Sequence, residues 1–274
     1  MSESLTPTDR RIARAVLEDP TLLTFGNVSV LASHVGTSRA SIVRFATKLG
    51  YEGFTDLQQS VREEYLRQGT SPSHRVRLQE SPTAPIQRSV EHAIELTFEA
   101  LDDETLQNMV SPLVSANNVW ILSGETSRAG AYVLHSGLSM IRPNVHFVDE
   151  HATGKELCGA TKNDVAVVFD FARYRRNSIT ATRALAELGV QIVAVTDGPL
   201  SPLSSLTNAR CELTIPAVGP FDSALPAVLT AELLVAKVVH ALRESAKVRI
   251  DRLELFWQTT GTFLDDSPRP KRLP

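Results

Sequence analysis

Cations and small hydroxyl residues gather at Thr37, Ser38, Arg39, Ala40, Ser41, Arg44, Thr47 and Lys48, with no acidic residue between Ser38 and Gly50. The chemistry open to such a set is contact with a polyanion. Arg and Lys neutralise phosphates, while Arg, Ser and Thr also reach base edges in a DNA groove. A second set lies far along the chain: Ser123, Gly124, Thr126 and Ser127, and then Asp170, Arg173, Tyr174 and Arg175. Hydroxyls, backbone N–H groups at helix starts and guanidinium forks are the donors that a small anion needs. No residue pattern argues strongly for catalysis. The seven histidines are scattered, and Cys158 and Cys211 sit singly without metal-ligand spacing, so neither metal nor cofactor is expected. His151 beside Glu150 is the one neighbour pair suited to a proton shuttle, and such pairs are common on surfaces. Gly124-Glu125-Thr126 lacks the further glycines of a dinucleotide loop.

The first set needs two helices to present it. Val28, Leu31, Ala32 and Val35 repeat at helical spacing, and Gly36 suits the positive φ of a helix end. Ser38 can then cap a second helix, on which Ile42, Phe45, Ala46 and Leu49 form the apolar side. Ala40, Ser41, Arg44, Thr47 and Lys48 face the other way, with Arg39 near the first turn. An ordinary helical hairpin with a basic solvent face is the plain alternative. The tight turn, the small residues at the helix start and the lack of acids favour a helix-turn-helix that reads double-stranded DNA. Upstream, Thr6, Pro7 and Asp9 look like the start of another helix. Downstream, YEGFTDLQQSVREEYLRQ reads as a turn and a further helix.

The 274 residues have the length for about two domains. The net charge of −3 divides unevenly. Residues 1–77 hold ten Lys/Arg against eight Asp/Glu, or +2, and the remaining eighteen against twenty-three leave −5. The cysteines read as buried thiols in a reducing compartment. MSESLTPTDRRIARAV has no signal-peptide core and no apolar run approaches membrane-spanning length, so a cytoplasmic protein without a membrane partner is expected. Residues 1–77 are read as the helix-turn-helix domain and about 69–85 as Pro/Ser-rich linker, its part after the domain being 78–85. Residues 86–264 form the second domain, and 265–274 a disordered tail.

From Ile86 helical stretches alternate with short β-branched runs. VWILS (119–123), VHFVD (145–149), DVAVVFDF (164–171), VQIVAVTD (190–197) and CELTIP (211–216) read as strands. Long helices follow at about 223–245 and 247–263. Strands separated by helices of ten or more residues imply parallel pairing in an α/β layer structure. The second residue set then falls at two strand ends that each open a helix, the edge where open α/β sheets bind ligands. The arginines there have a competing structural use, pairing with Asp170, Glu125 or Glu150 or meeting a second subunit. Thr126 and Ser127 have one in helix capping.

Both halves together resemble the RpiR family of transcriptional regulators, across nearly the whole chain. The resemblance rests on Leu31-Ala32, Gly36-Thr37-Ser38, Ile42-Val43-Arg44-Phe45, Lys48-Leu49-Gly50-Tyr51 and Gly53-Phe54. In the second half it rests on Asn163-Asp164, Leu188-Gly189, Ala194-Val195-Thr196-Asp197 and Leu200-Ser201-Pro202-Leu203. It implies an all-α helix-turn-helix domain joined to a SIS (sugar isomerase) domain, an αβα sandwich around a five-stranded parallel sheet. It also implies self-association as a homodimer or homotetramer and a phosphosugar or related carbohydrate effector. Where the family's phosphosugar loop reads Ser-x-Ser-Gly-x-Thr, this chain has Asp170-Phe171-Ala172-Arg173-Tyr174-Arg175. It resembles a branch with that Arg-Tyr loop and an Arg142-Pro143-Asn144-Val145 run. The expected effector therefore widens to a sugar phosphate, a sugar acid or another small anion. The expected function is a ligand-responsive transcriptional regulator. The alternatives are a SIS-domain sugar-phosphate isomerase, and a regulator whose SIS domain only oligomerises.

Overall fold

A computed structural model describes residues 6–18, 21–24, 27–61, 72–78, 83–198 and 201–264. The tail 265–274 and the C-terminal part of the helix expected after Tyr51 lie outside the described residues. The chain divides into two compact units: Met1–Pro82 with Val218–Phe221, and Thr83–Ala217 with Asp222–Pro274.

In the first unit, α1 (Pro7–Glu18), α2 (Thr21–Thr24), α3 (Val28–Val35), α4 (Arg39–Lys48) and a helix over 54–61 (α5) surround one small core. Ile12, Leu23, Leu31, Ala32, Ile42, Phe45, Ala46 and Leu57 are buried together there. Local chemistry sets each boundary. Thr6 and Asp9 exchange hydrogen bonds of 3.2 and 2.9 Å in a capping box at the start of α1. The Asn27 side chain accepts from the N–H groups of Ser29 and Val30 at the start of α3. Gly36 ends α3 at φ 67°, a left-handed conformation that costs a residue with a Cβ. Ser38 caps α4 by accepting from Ser41 N at 3.2 Å. Within the stretch read as linker, 72–78 is instead helical (α6, Pro72–Leu78).

The second unit starts with α7 (Thr83–Ala100) and α8 (Asp103–Ser115), whose interior Pro112 is accommodated. Five parallel strands follow, β1 (Val119–Ser123), β2 (Val145–Phe147), β3 (Val165–Phe169), β4 (Gln191–Thr196) and β5 (Arg210–Glu212), in the spatial order β2-β1-β3-β4-β5. The connecting helices are α9 (Arg128–Ile141), α10 (Thr153–Leu157) and α11 (Arg176–Glu187). The unit ends with α12 (Leu225–Leu242) and α13 (Glu244–Thr260); the short ribbon of β6 (Ala217–Val218) and β7 (Phe221–Asp222) before them has its middle, Val218–Phe221, grouped with the first unit. The two helices break at Arg243, at φ 47°.

The strands are apolar on both faces, as a sheet covered by helices on each side requires. Val119, Ile121, Val165, Val167, Phe169, Val193 and Val195 pack with α8, α9 and α12. Trp120, Leu122, Ala166, Val168, Ile192 and Ala194 pack with α10 and α11. Helix α12 has the length and mean hydropathy (1.7) of a membrane span, which corrects the expectation that no apolar run approaches it. Here its Ala227, Ala231, Leu234 and Val238 are buried in the core of the unit. Cys211 is buried as expected, and burial pushes its thiol up to about 12. Cys158 is exposed, against expectation, because it ends the short surface helix α10.

Candidate functional site: a sheet-edge crevice and an exposed helix

The order β2-β1-β3 places a topological switch point between β1 and β3. Their following helices leave to opposite faces, and a crevice opens at their C-terminal ends. A cleft of about 370 Å³ lies there. Ser123, Gly124, Glu125 and Arg128 form one wall, and Arg175, Asn177, Ser178 and Ala181 a second. The third wall, absent from the sequence-based set, comes from the end of β2 and the turn beyond it: Phe147, Val148, Glu150, His151 and Thr153.

Of the eight residues expected to touch an effector, only Ser123, Gly124 and Arg175 line this cleft. Ser127 is 1% exposed, and its hydroxyl donates to the carbonyls of Phe169 (2.6 Å) and Gly124 (3.2 Å). It pins the β1 turn to the end of β3. Thr126 is exposed outside the lining. Arg173 is exposed and left-handed, at φ 72°, at the crest of its loop. Tyr174 donates to Asp197 Oδ1 at 2.5 Å, which turns it towards β4. Asp170 is buried beneath the loop and accepts from Arg175 N at 3.1 Å. Gly124 passes so close that a Cβ would stand 2.4 Å from Asp170 Oδ1. Ser127, Asp170 and Tyr174 build the crevice without facing it, because the sharp turns use their polar atoms, while Thr126 and Arg173 are exposed outside it.

Two carboxyls hold the loop 170–176 from below. Asp197 accepts from Ala172 N at 2.7 Å and from Tyr174, and Thr196 Oγ1 donates to the Asp170 carbonyl at 2.9 Å. Burial pushes the Asp170 carboxyl up to about 7, with the nearby Asp197 adding to the effect. Burial raises Asp197 as well. Ser201 Oγ lies 2.7 Å from Thr196 Oγ1 in a hydroxyl–hydroxyl hydrogen bond, so the Ser201-Pro202-Leu203 motif braces the end of β4.

The open side of the crevice holds the groups that a ligand could use. Among the described residues, no side chain caps α11. The Ser178 hydroxyl, in the first turn of that helix, is buried beside the Asp170 carboxyl. Arg128 lies over the Phe147 ring, 5.3 Å from its centre. Arg175 pairs with Glu125, and Asn177 Nδ2 donates to Glu150 at 3.1 Å. The His151–Glu150 pair thus sits on the crevice rim, with Glu150 engaged by Asn177. The Arg142-Pro143-Asn144 run lies elsewhere. The buried Arg142 guanidinium donates to the carbonyls of Leu113, Ala116 (2.7 Å) and Asn117 (3.3 Å), closing the C-terminus of α8.

On the first unit, Ser38, Arg39, Ala40, Arg44 and Thr47 are exposed at the start and along the outer side of α4, with Thr37 and Ser41 partly so. Ser38 Oγ and Ser41 Oγ are 2.9 Å apart, and Arg44 donates to Ser41 at 3.3 Å, which orders the guanidinium along the outer face. Lys48 departs from the expected row: its ammonium pairs with Asp9 at 3.0 Å and ties α4 to α1. Val43, which the expected outer row does not include, is exposed between Arg39 and Thr47. An exposed aliphatic group there suits a thymine methyl.

Residues 1–68 match the helix-turn-helix domain of the rpiR family, and residues 112–238 match the SIS domain. The solved structure of Vibrio vulnificus NanR complexed with ManNAc-6P is 18% identical, has a TM-score of 0.64 and covers 94% of this chain and 95% of that one. The sugar isomerase domain of an RpiR transcription factor from Sphaerobacter thermophilus is 20% identical, with a TM-score of 0.57 over 65% of this chain and 99% of that one. Among sequence relatives, an uncharacterised HTH-type transcriptional regulator of Caldanaerobacter subterraneus is 28% identical over 76% of this chain and 75% of its own. Fold and matches together define a helix-turn-helix protein that carries a SIS α/β domain. Its first part is thus similar to the helix-turn-helix domain of the rpiR family, and its sequence relatives include HTH-type transcriptional regulators.

Proposed function

We propose that this regulator senses a carbohydrate derivative bearing an anionic group in the crevice between the ends of β1 and β3, and that α4 reads operator DNA. The observation that carries the sensing half is a crevice lined by Arg128 and Arg175 at the start of the twelve-residue helix α11. A helix N-terminus complements negative charge. Arg128 and Arg175 supply cations at the same opening. NanR holds a sugar phosphate, which favours the same class here. Of the loop Asp170–Arg175 only Arg175 lines the opening, and a guanidinium pairs with a carboxylate as readily as with a phosphate, so a sugar acid fits the lining as well as a phosphate does. Ser127, Asp170 and Tyr174 act by shaping the loops.

DNA contact falls to Arg39, Arg44, Thr47 and the α4 start at Thr37 to Ser41, while Lys48 contributes a phosphate contact only by leaving Asp9. The protein works in the cytoplasm as a homo-oligomer, since one recognition helix reads few base pairs. The exposed apolar side chains Val248, Leu255 and Phe256 of α13 offer a contact surface for self-association. Effector binding alters operator affinity only if the effector prefers one arrangement of the protein over another.

Selection of duplexes from a random pool by the full chain tests the reading. Arg44→Ala should weaken the selected site by about 1–3 kcal/mol, the value of a specific base contact. Sugar phosphates and sugar acids should raise the melting temperature of the second unit. Unaltered DNA binding by Arg44→Ala would contradict the first half, and a flat thermal response across both ligand classes the second.

A further inference from the structure

Helix α4 buries Ile42, Phe45 and Ala46, which leaves Ala40, Val43, Arg44 and Thr47 exposed on its outer side. That side divides lengthwise. One strip is polar and internally ordered: Arg44 donates to Ser41 Oγ, which lies 2.9 Å from Ser38 Oγ. The other strip is Ala40, Val43 and Thr47, spaced i, i+3 and i+7 along the helix. The Thr47 hydroxyl donates to the carbonyls of Arg44 at 3.0 Å and Val43 at 3.4 Å, so its proton is spent on the backbone. The strip therefore presents methyl groups and no side-chain donor.

A single exposed valine is ordinary on a protein surface. The setting of Val43 is what distinguishes it. It is 40% exposed at the middle of α4, flanked by Arg39 and Arg44 on a stretch without an acidic residue. Those cations fit a polyanion, and the aliphatic group on a major-groove base edge is the 5-methyl of thymine.

We propose that Val43 is a specificity-determining residue that packs on a thymine methyl, beside the base that Arg44 contacts. This rests on the reading of α4 as the DNA-contacting helix. Val43 and Arg44 are about 1.5 Å apart along the helix axis and about 100° apart around it, so they address adjoining positions in a groove. Ala40 and Thr47 lie about 4.5 Å and 6 Å to either side, which makes Val43 the centre of the strip and its largest aliphatic group.

The test uses the duplex selected by the full chain. Each thymine of the selected site is replaced in turn by deoxyuridine, which removes only the methyl. Fluorescence anisotropy then gives the affinities of wild type, Val43→Ala, Val43→Thr and Arg44→Ala. At one thymine, deoxyuridine should weaken wild type about four-fold, the value of one buried methyl. Val43→Ala should bind the thymine duplex more weakly and lose little further with deoxyuridine, because both changes remove one contact. Alanine favours an exposed helix position, so the variant keeps its fold. Val43→Thr retains one methyl and should keep part of the discrimination. Arg44→Ala should bind every duplex more weakly and still prefer thymine to deoxyuridine. A selected site without thymine, or one in which no deoxyuridine weakens wild type, overturns the role of Val43; impaired binding by Arg44→Ala then leaves α4 standing as the reading helix. Equal sensitivity of wild type and Val43→Ala to deoxyuridine assigns the methyl to another residue and also overturns it. Wild-type affinity in all three variants, or no selected site at all, overturns both readings.

Discussion

Replacing Asp170 with asparagine isolates the energy held in the loop beneath the crevice. The Asp170 carboxyl is buried, stands near Asp197 and Ser178, and accepts from the backbone of Arg175; its folded value is about 7 against an ordinary 3.8. At 1.36 kcal/mol per pH unit, that difference corresponds to about 4 kcal/mol. Because the folded value is the higher one, the native state holds a proton that the unfolded chain releases. The stabilising contribution is complete below about pH 4 and is lost as pH rises through about 7. Asp170→Asn keeps the size of the side chain and an acceptor for Arg175 N while removing the titration. The stability of the variant relative to wild type should therefore climb by up to about 4 kcal/mol between pH 4 and pH 8, whatever its offset at one pH. Urea unfolding at unit steps of pH, followed by tryptophan fluorescence, measures this. Trp120 and Trp257 are the only tryptophans, and both lie in the second unit. Titrations remote from the loop cancel in the difference, and repeating the comparison in an Asp197→Asn background separates the contribution of that neighbour. A difference independent of pH, or one that turns against the variant as pH rises, would refute the argument that burial of this carboxyl dominates the loop.

Arg142→Ala strips the donors from the carbonyls of Leu113, Ala116 and Asn117, and should cost about 3 kcal/mol or more in urea unfolding; Arg142→Lys should recover little, since an ammonium cannot span the fork. A loss below about 1 kcal/mol would show that water replaces the guanidinium. Gly130→Ala places a Cβ 2.8 Å from the backbone of Ala227, where α9 and α12 touch, and should destabilise the second unit by about 1–3 kcal/mol. An unchanged unfolding midpoint would mean that the two helices separate without cost.

Much of the architecture was legible because it rests on local chemistry. Asn27, Gly36 and Ser38 bound α3 and α4 whatever surrounds them, and the apolar spacing of Ile42, Phe45 and Ala46 selects the buried side. The five apolar runs became five parallel strands, with β2 and β5 shorter than expected because the chain turns away after Phe147 and Glu212. The exposed row on α4 was legible for the same reason, apart from Lys48. Its partner Asp9 is 39 residues away, and no periodicity records that distance.

The effector crevice was legible only in position. Strand ends that open helices are visible in a sequence, and they pointed to Ser123–Arg128 and Asp170–Ser178. Which side chains face the opening depends on how the strands are ordered. Placing β2 beside β1 brings Phe147, Glu150 and His151 to a cleft whose other walls come from well before and well after them in the chain. The hydroxyl of Ser127 and the carboxyl of Asp170 look like ligand groups by type, yet the tight turns use them for backbone N–H and carbonyl groups. Sequence determined the elements, since capping and periodicity act within a few residues. Tertiary structure decided which polar atoms face the opening, since that depends on groups brought together from distant parts of the chain.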